Sequence, residues 1–294
     1  MTKGKIVKAL SGFYYVEVES GQIYQCRGRG LFRKQKITPL VGDRVEIDIT
    51  DNGHGFVTGI SERKNELVRP PIANIDQAII VTSAREPDFN ALLLDRFLVL
   101  NEAKRIEPII VITKMDLVKP DVKKEMETFQ QMYENIGYSV VLLSFKDKEQ
   151  VQQMIPYIRG KASVIAGQSG VGKSSLLNAL KPGLDLKVGN ISETLGRGKH
   201  TTRHVEFISL HQGYVADTPG FSSLDFREIE ADELPECFPE MVERQNDCKF
   251  RGCKHFKEPK CAVKDAVDSG EIPDFRYNHY LQFLDEIQSR KPRY

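Results

Sequence analysis

The stretch that most limits how this 294-residue chain can fold is Gly167-Gln168-Ser169-Gly170-Val171-Gly172-Lys173-Ser174-Ser175. Two glycines with four residues between them, then Lys and Ser, fit the phosphate-binding loop pattern. The apolar run ASVIA at 162–166 precedes it and the helix-type run SLLNAL at 175–180 overlaps its end. That strand–loop–helix setting is the one the pattern requires. Glycines let successive backbone N–H groups converge on one phosphate group, and the helix start adds the positive end of its dipole. Lys173 is expected to reach the β- and γ-phosphates and Ser174 to hold Mg²⁺.

Apolar strand patterns at 77–82, 108–112 and 139–143 alternate with helical patterns at 92–104, 122–136 and 149–158. This alternation predicts a mostly parallel α/β sheet. The second of these strands runs into Thr113-Lys114-Met115-Asp116. A carboxylate there can accept from guanine N1–H and its 2-amino group. Adenine lacks that donor pair, so Asp116 would select guanine by leaving the wrong base unpaired. The methylene stem of Lys114 can cover a face of the base. Ser144, at the end of the third strand, is where a turn would bring a backbone N–H to the base oxygen.

Two segments after the phosphate loop complete a nucleotide site. The polar, glycine-punctuated stretch 190–202 ends in His200-Thr201-Thr202, whose threonines could close onto Mg²⁺ and the γ-phosphate. The strand-like run 213–216 leads into Asp217-Thr218-Pro219-Gly220. Asp217 would hold Mg²⁺ through water, and the Gly220 N–H would sense the γ-phosphate.

Residues 1–66 read differently. Five short runs, at 5–10, 13–18, 22–26, 44–49 and 55–60, alternate apolar and polar residues between glycine-bearing turns. This suits a small closed barrel of the OB-fold kind, which often binds single-stranded nucleic acid. The segment RGRGLFRKQK at 27–36 holds five basic residues and no acidic one. It is a candidate grip for RNA phosphates; Phe32 would either stack on a base or tuck into the barrel. Cys26 reads as a buried strand cysteine. Val68-Arg69-Pro70-Pro71 reads as a stiff linker, since consecutive prolines hold the chain extended.

Near the other end, Cys248, Cys253, His255 and Cys261 offer three thiolates and an imidazole within fourteen positions. Four such ligands suit a tetrahedral, structural Zn²⁺. Lys249, Arg251, Lys254, Lys257 and Lys260 surround them as a second basic patch. A helix is predicted over 275–287. Cys237 lies outside the cluster. An odd total of five cysteines argues against a disulfide framework and for a reducing, cytoplasmic location. With 42 basic and 41 acidic residues, affinity for nucleic acid must come from local patches. No apolar run is long enough to span a bilayer.

The motif order is the unusual feature: the base-reading segments at 113–116 and 144 precede the phosphate loop. Together with the front barrel, the segment GRGKHTT at 196–202 and the cysteine–histidine cluster, this resembles the ribosome small-subunit-dependent GTPase A (RsgA) family over essentially the whole chain. The resemblance implies an OB-fold domain at 1–66, a circularly permuted P-loop GTPase domain at 67–222 and a zinc-binding domain at 223–294. It further implies GTP hydrolysis stimulated by the small ribosomal subunit in its late maturation. The basic patches suit contact with rRNA, and a monomer that needs no membrane is expected. Thr113 stands where related GTPases carry Asn. Phe221 follows Gly220 where many carry a water-orienting Gln, and His200 is the nearest substitute. A P-loop kinase or ATPase and a non-catalytic RNA-binding scaffold are the competing readings.

Overall fold

The structure is a computed structural model describing residues 2–30, 32, 37–50, 53–68, 70–184, 205–217 and 224–290, with Asp217 described by its backbone alone. The first five strands are β1 (Thr2–Leu10), β2 (Phe13–Val18), β3 (Ile23–Gly28), β4 (Arg44–Ile49) and β5 (His54–Ile60). They close into a barrel in the order β1-β2-β3-β5-β4 and back to β1. Alternation drives the closure: Val16, Val45, Ile47 and Val57 point inward and are buried, with Cys26 at zero exposure among them. Phe32 is also buried, so the tucked-in alternative holds and that ring does not serve as a stacking surface.

Strand β1 belongs to two structures at once. Its pairing shifts between Ile6 and Lys8. The first half pairs with β4, while Lys8 and Ala9 pair with Glu206 and Val205 of β12 (Val205–Leu210). A bulge bends a strand locally, which lets β1 leave the barrel and join the next sheet. Lys8 meets Glu206 at 3.1 Å, and the Tyr214 hydroxyl donates to Glu17 at 2.7 Å across the same seam.

A hairpin of β6 (Glu66–Val68) and β7 (Pro71–Ala73) follows. The prolines expected to form an extended linker instead sit at its turn, with Val68 paired to Pro71. Proline is tolerated at the first residue of a strand, so the hairpin survives it. The barrel docks here closely. A Cβ on Gly42 would lie 1.9 Å from the Ala73 carbonyl oxygen, and φ is +95°, so only glycine fits. The buried Asp43 carboxylate accepts two bonds of 2.8 Å from Arg63.

The central sheet contains β8 (Gln77–Ser83), β9 (Glu107–Thr113), β10 (Ser139–Leu142), β11 (Ala162–Ala166) and β13 (Gly213–Asp217). They lie parallel in the order β10-β9-β8-β11-β13, with β12 antiparallel at the end. Successive residues enter opposite faces: Ile80, Ile110 and Ile112 pack with one cluster, Ile79, Val81, Ile109 and Val111 with another. Burial on both faces is why these strands read as continuous apolar runs. The helices are α1 (Ala91–Glu102), α2 (Pro120–Ile136), α3 (Lys148–Gln152), α4 (Ile155–Ile158) and α5 (Lys173–Leu180). The single helix expected over 149–158 is two pieces, because Pro156 lacks the N–H and clashes with the preceding turn.

The C-terminal region adds α6 (Pro239–Val242), α7 (Ala262–Asp268) and α8 (Asp274–Gln288). Its core joins Phe226, Phe238, Tyr280 and Phe283 to Val99 on α1. Arg96 of α1 lies over the Phe226 ring at 4.6 Å and bonds Glu286 of α8. Among the described residues no helix is long and apolar enough to cross a membrane.

Candidate nucleotide-binding site and metal centre

The carboxyl ends of β8, β9, β10 and β11 reach one edge of the sheet, where open α/β sheets hold ligands. From β11 the chain turns through Gly167 at φ +139°, Gly170 at +84° and Gly172 at +99°, and α5 begins at Lys173. A Cβ on Gly167 would stand 2.0 Å from the Val81 carbonyl oxygen. The bare backbone is therefore what lets the loop curl. Lys173 folds over it and donates to the Gly167 and Gln168 carbonyls at 2.8 and 2.7 Å. Ser174, at the first turn of α5, is buried. Gln168, Ser169, Val171 and Ser175 complete the segment.

The residues expected to read the base lie beside this loop. Thr113 is fully buried, and its hydroxyl lies 2.5 Å from the Val171 carbonyl oxygen and 3.0 Å from that of Thr82. A Thr in place of Asn thus ties the base strand directly to the phosphate loop. Lys114 adopts φ +60°, which turns the chain sharply, and its ammonium meets the Glu86 carbonyl. Met115 N–H donates to the Leu143 carbonyl at 3.3 Å, fixing the two turns together. The Ser144 hydroxyl donates to Asp116 at 3.1 Å. Its own backbone N–H donates to Gln150 Oε1 at 2.8 Å.

Two neighbours were not singled out from the sequence. Lys146 pairs with Asp116 at 2.9 Å and holds its carboxyl below the usual carboxylate range. Phe145 lies against the loop: a Cβ on Gly172 would fall 2.8 Å from its ring. Their signal was their position directly after Ser144. In the parallel pair β11–β13, Asp217 stands opposite Ile165, two residues before Gly167. His200, Thr201, Thr202 and Gly220 lie outside the described residues.

The second centre is compact. The ligand atoms of Cys248, Cys253, His255 and Cys261 all lie within 4.8 Å of one another. His255 Nδ1 faces the sulfurs, 3.3 Å from Cys261 Sγ and 3.6 Å from Cys248 Sγ. Cys248 and Cys261 Sγ are 3.9 Å apart. Zn–S bonds of about 2.3 Å at a tetrahedral angle put sulfurs roughly 3.8 Å apart, so the set fits zinc. Burial pushes the Cys253 thiol up to about 12 and lowers the His255 pKa. The imidazole is thus held neutral, as a ligand must be, while the buried sulfurs need a cation to become thiolates. Four protein ligands would leave a bound Zn²⁺ no open position, which is the arrangement of a structural site.

The barrel carries an aromatic row that the sequence reading missed. Phe13 pairs with Arg27, and Arg27 with Phe56, so the three side chains share one face. Arg27 lies over the Phe13 ring at 4.8 Å and Phe56 is 41% exposed. Only the fold brings these three strands side by side.

Fold and site together define a circularly permuted P-loop nucleotide-binding domain, set between an OB-type barrel and a Cys₃His module. Known proteins share the arrangement. The RsgA GTPase model matches residues 60–227, and the RsgA N-terminal domain model matches 3–57. The chain belongs to the RsgA GTPase family. It is 62% identical to small ribosomal subunit biogenesis GTPase RsgA 2 of Oceanobacillus iheyensis and 60% identical to the RsgA of a Geobacillus strain, each over the full length of both chains. Among solved structures, YloQ, described as a circularly permuted GTPase, is 53% identical with a TM-score of 0.88, covering 100% of this chain and 97% of its own. YjeQ from Thermotoga maritima is 38% identical with a TM-score of 0.89, and the match covers 99% of each chain.

Proposed function

We propose that this chain hydrolyses GTP to GDP and phosphate when docked on the small ribosomal subunit, late in that subunit's maturation. The observation that carries the reading is the junction of Asp116, Ser144 and Thr113 with the phosphate loop at Val171. It supports one site that takes guanine at one end and phosphates at the other. The relatives named above are small-subunit biogenesis GTPases, which supplies the partner.

In this reading the Asp116 carboxylate accepts from guanine N1–H and the 2-amino group, and the Lys114 stem covers the base. The loop N–H groups from Gly167 to Ser175 wrap the phosphates, while the Lys173 ammonium leaves its carbonyl partners for the β- and γ-oxygens. Ser174 and, through water, Asp217 would hold a Mg²⁺ that neutralises charge on the β- and γ-phosphates. Thr201, Thr202 and Gly220 read the γ-phosphate, and His200 orients the attacking water, a task an apolar Phe221 cannot perform. A site lacking the usual Gln turns over slowly until a partner completes it. The chain acts as a cytoplasmic monomer. The basic residues of 27–36 and those around the zinc cluster meet rRNA phosphates.

The test is the GTPase rate with and without purified small subunits. Stimulation that Lys173→Ala loses together with nucleotide binding, and that His200→Ala loses while still binding GTP, supports the assignment. A rate indifferent to subunits removes the ribosome-coupled reading. Equal competition by ATP would favour a general P-loop ATPase instead.

A further inference from the structure

The zinc cluster is assigned a structural task, yet its ligand loops carry two phenylalanines that the module's core does not use. Phe250 sits between Cys248 and Cys253, and Phe256 follows His255. Each is 43% exposed, whereas the core aromatics Phe226, Phe238, Phe283 and Tyr280 are buried. Each has a lysine beside it: Lys249 lies 5.3 Å from the Phe250 ring centre and Lys257 lies 5.0 Å from that of Phe256. Exposing large apolar rings in water is unfavourable unless something covers them in use.

The loops are also fixed in advance. The Lys254 and Phe256 N–H groups donate to the two oxygens of Glu258 at 3.1 and 2.9 Å. Lys249 N–H donates to the Lys260 carbonyl at 3.2 Å, and the Tyr277 hydroxyl to the His255 carbonyl at 2.7 Å. A ring held out on a pinned backbone loses little entropy when a flat partner settles on it.

We infer that the zinc-bearing loops form a binding site for unpaired RNA bases, with Phe250 and Phe256 as stacking platforms and Lys249 and Lys257 meeting the flanking phosphates. This rests on the proposed rRNA contact and adds to it. Phosphate contact alone does not select unpaired bases, because duplex and single strand both present a phosphate backbone. An exposed ring does, because only an unstacked base offers it a free face. The charge around the rings matches an anionic strand, and the rings match its bases. An acidic or apolar protein partner would leave one half of the site unused.

The experiment uses the full, zinc-loaded chain and two labelled probes, an oligouridylate and a blunt RNA duplex of equal length, in a fluorescence anisotropy titration. Phe250→Leu and Phe256→Leu keep apolar bulk but remove the π-face. Each is expected to weaken oligouridylate binding about ten-fold or more, the scale of losing one stacked base. Duplex binding should change less than about two-fold, since the phosphate contacts remain. Lys249→Gln and Lys257→Gln should weaken both probes and flatten the salt dependence by about one ion each. Zinc content equal to that of the parent chain shows that the module is intact. Leu variants that bind both probes like the parent overturn the inference and leave the broader RNA reading standing. So does a loss confined to Phe→Ala, which would indicate apolar docking. A parent chain that binds neither probe overturns the RNA contact itself.

Discussion

Arg276 of α8 donates to Asp95 of α1 at 2.6 Å across 181 positions of sequence, and both side chains are fully buried. The same guanidinium donates to Glu240 at 2.7 Å, and Asp95 also accepts from Tyr133 and His279. This network joins the C-terminal module to the helix that follows β8, so the module is mounted on the nucleotide domain and does not hang from it by chain alone. Arg276→Met leaves two carboxylates buried without their cation. The expected loss is about 3–5 kcal/mol of stability, because an unpaired buried charge costs more than the pair returns. A lowered midpoint with an unchanged slope in urea denaturation is the signature.

The metal centre makes a separate prediction. Cys261→Ala removes a buried ligand from the four-residue set and leaves the fourth position of a tetrahedral ion without a protein donor. The variant should lose zinc and expose 248–261 to protease, while α1 and the central sheet stay folded. Chelation of the parent chain should do the same. Elemental analysis with limited proteolysis checks both, and a zinc-free variant cut no faster than the parent would rule out a structural metal.

Base selection is testable at a single atom pair. Asp116→Asn replaces an acceptor with an amide that can donate. GTP affinity should fall by about 10²-fold or more, since a site built for hydrogen bonds rejects a mismatched partner strongly. Xanthosine triphosphate, which carries a carbonyl where guanine carries its amino group, should bind better than to the parent. Nucleotide competition on both proteins decides it.

Lys146 sets the acid limit of that carboxylate. Its hydrogen bond is the largest influence on Asp116 and lowers the pKa. A depressed carboxyl contributes stability that is complete above the unfolded value of about 3.9 and is lost as pH falls through the lower folded value. Lys146→Gln should therefore move the onset of Asp116 protonation to higher pH. A carboxyl carbon titration by NMR on both proteins should show the midpoint rise; an unmoved midpoint would mean that the pair contributes nothing in solution.

The elements readable from sequence were those with strong local signals. The phosphate loop carries its backbone requirements in its own glycines, and the parallel strands announce double burial by uninterrupted apolar residues. Two of the misses share a cause, pairing between strands. Phe145 and Lys146 matter only because β10 ends beside β9. The prolines at 70–71 look like a linker until β6 and β7 pair around them. The split of α3 from α4 follows from Pro156, a local signal that the expected single helix passed over.

By itself the chain's sequence determined which groups are present: a glycine-built loop of the phosphate-binding pattern, a carboxylate just past the second apolar strand, and four ligands spaced for one metal. Those depend on residue type and short spacing, which are local properties. Tertiary structure alone decided who meets whom: Thr113 with Val171, Arg276 with Asp95, Lys8 of the barrel with Glu206 of the central sheet. Such partners are far apart in the chain, and their contact is set by strand order, register and a bulge in β1, none of which leaves a mark in any short stretch of residues.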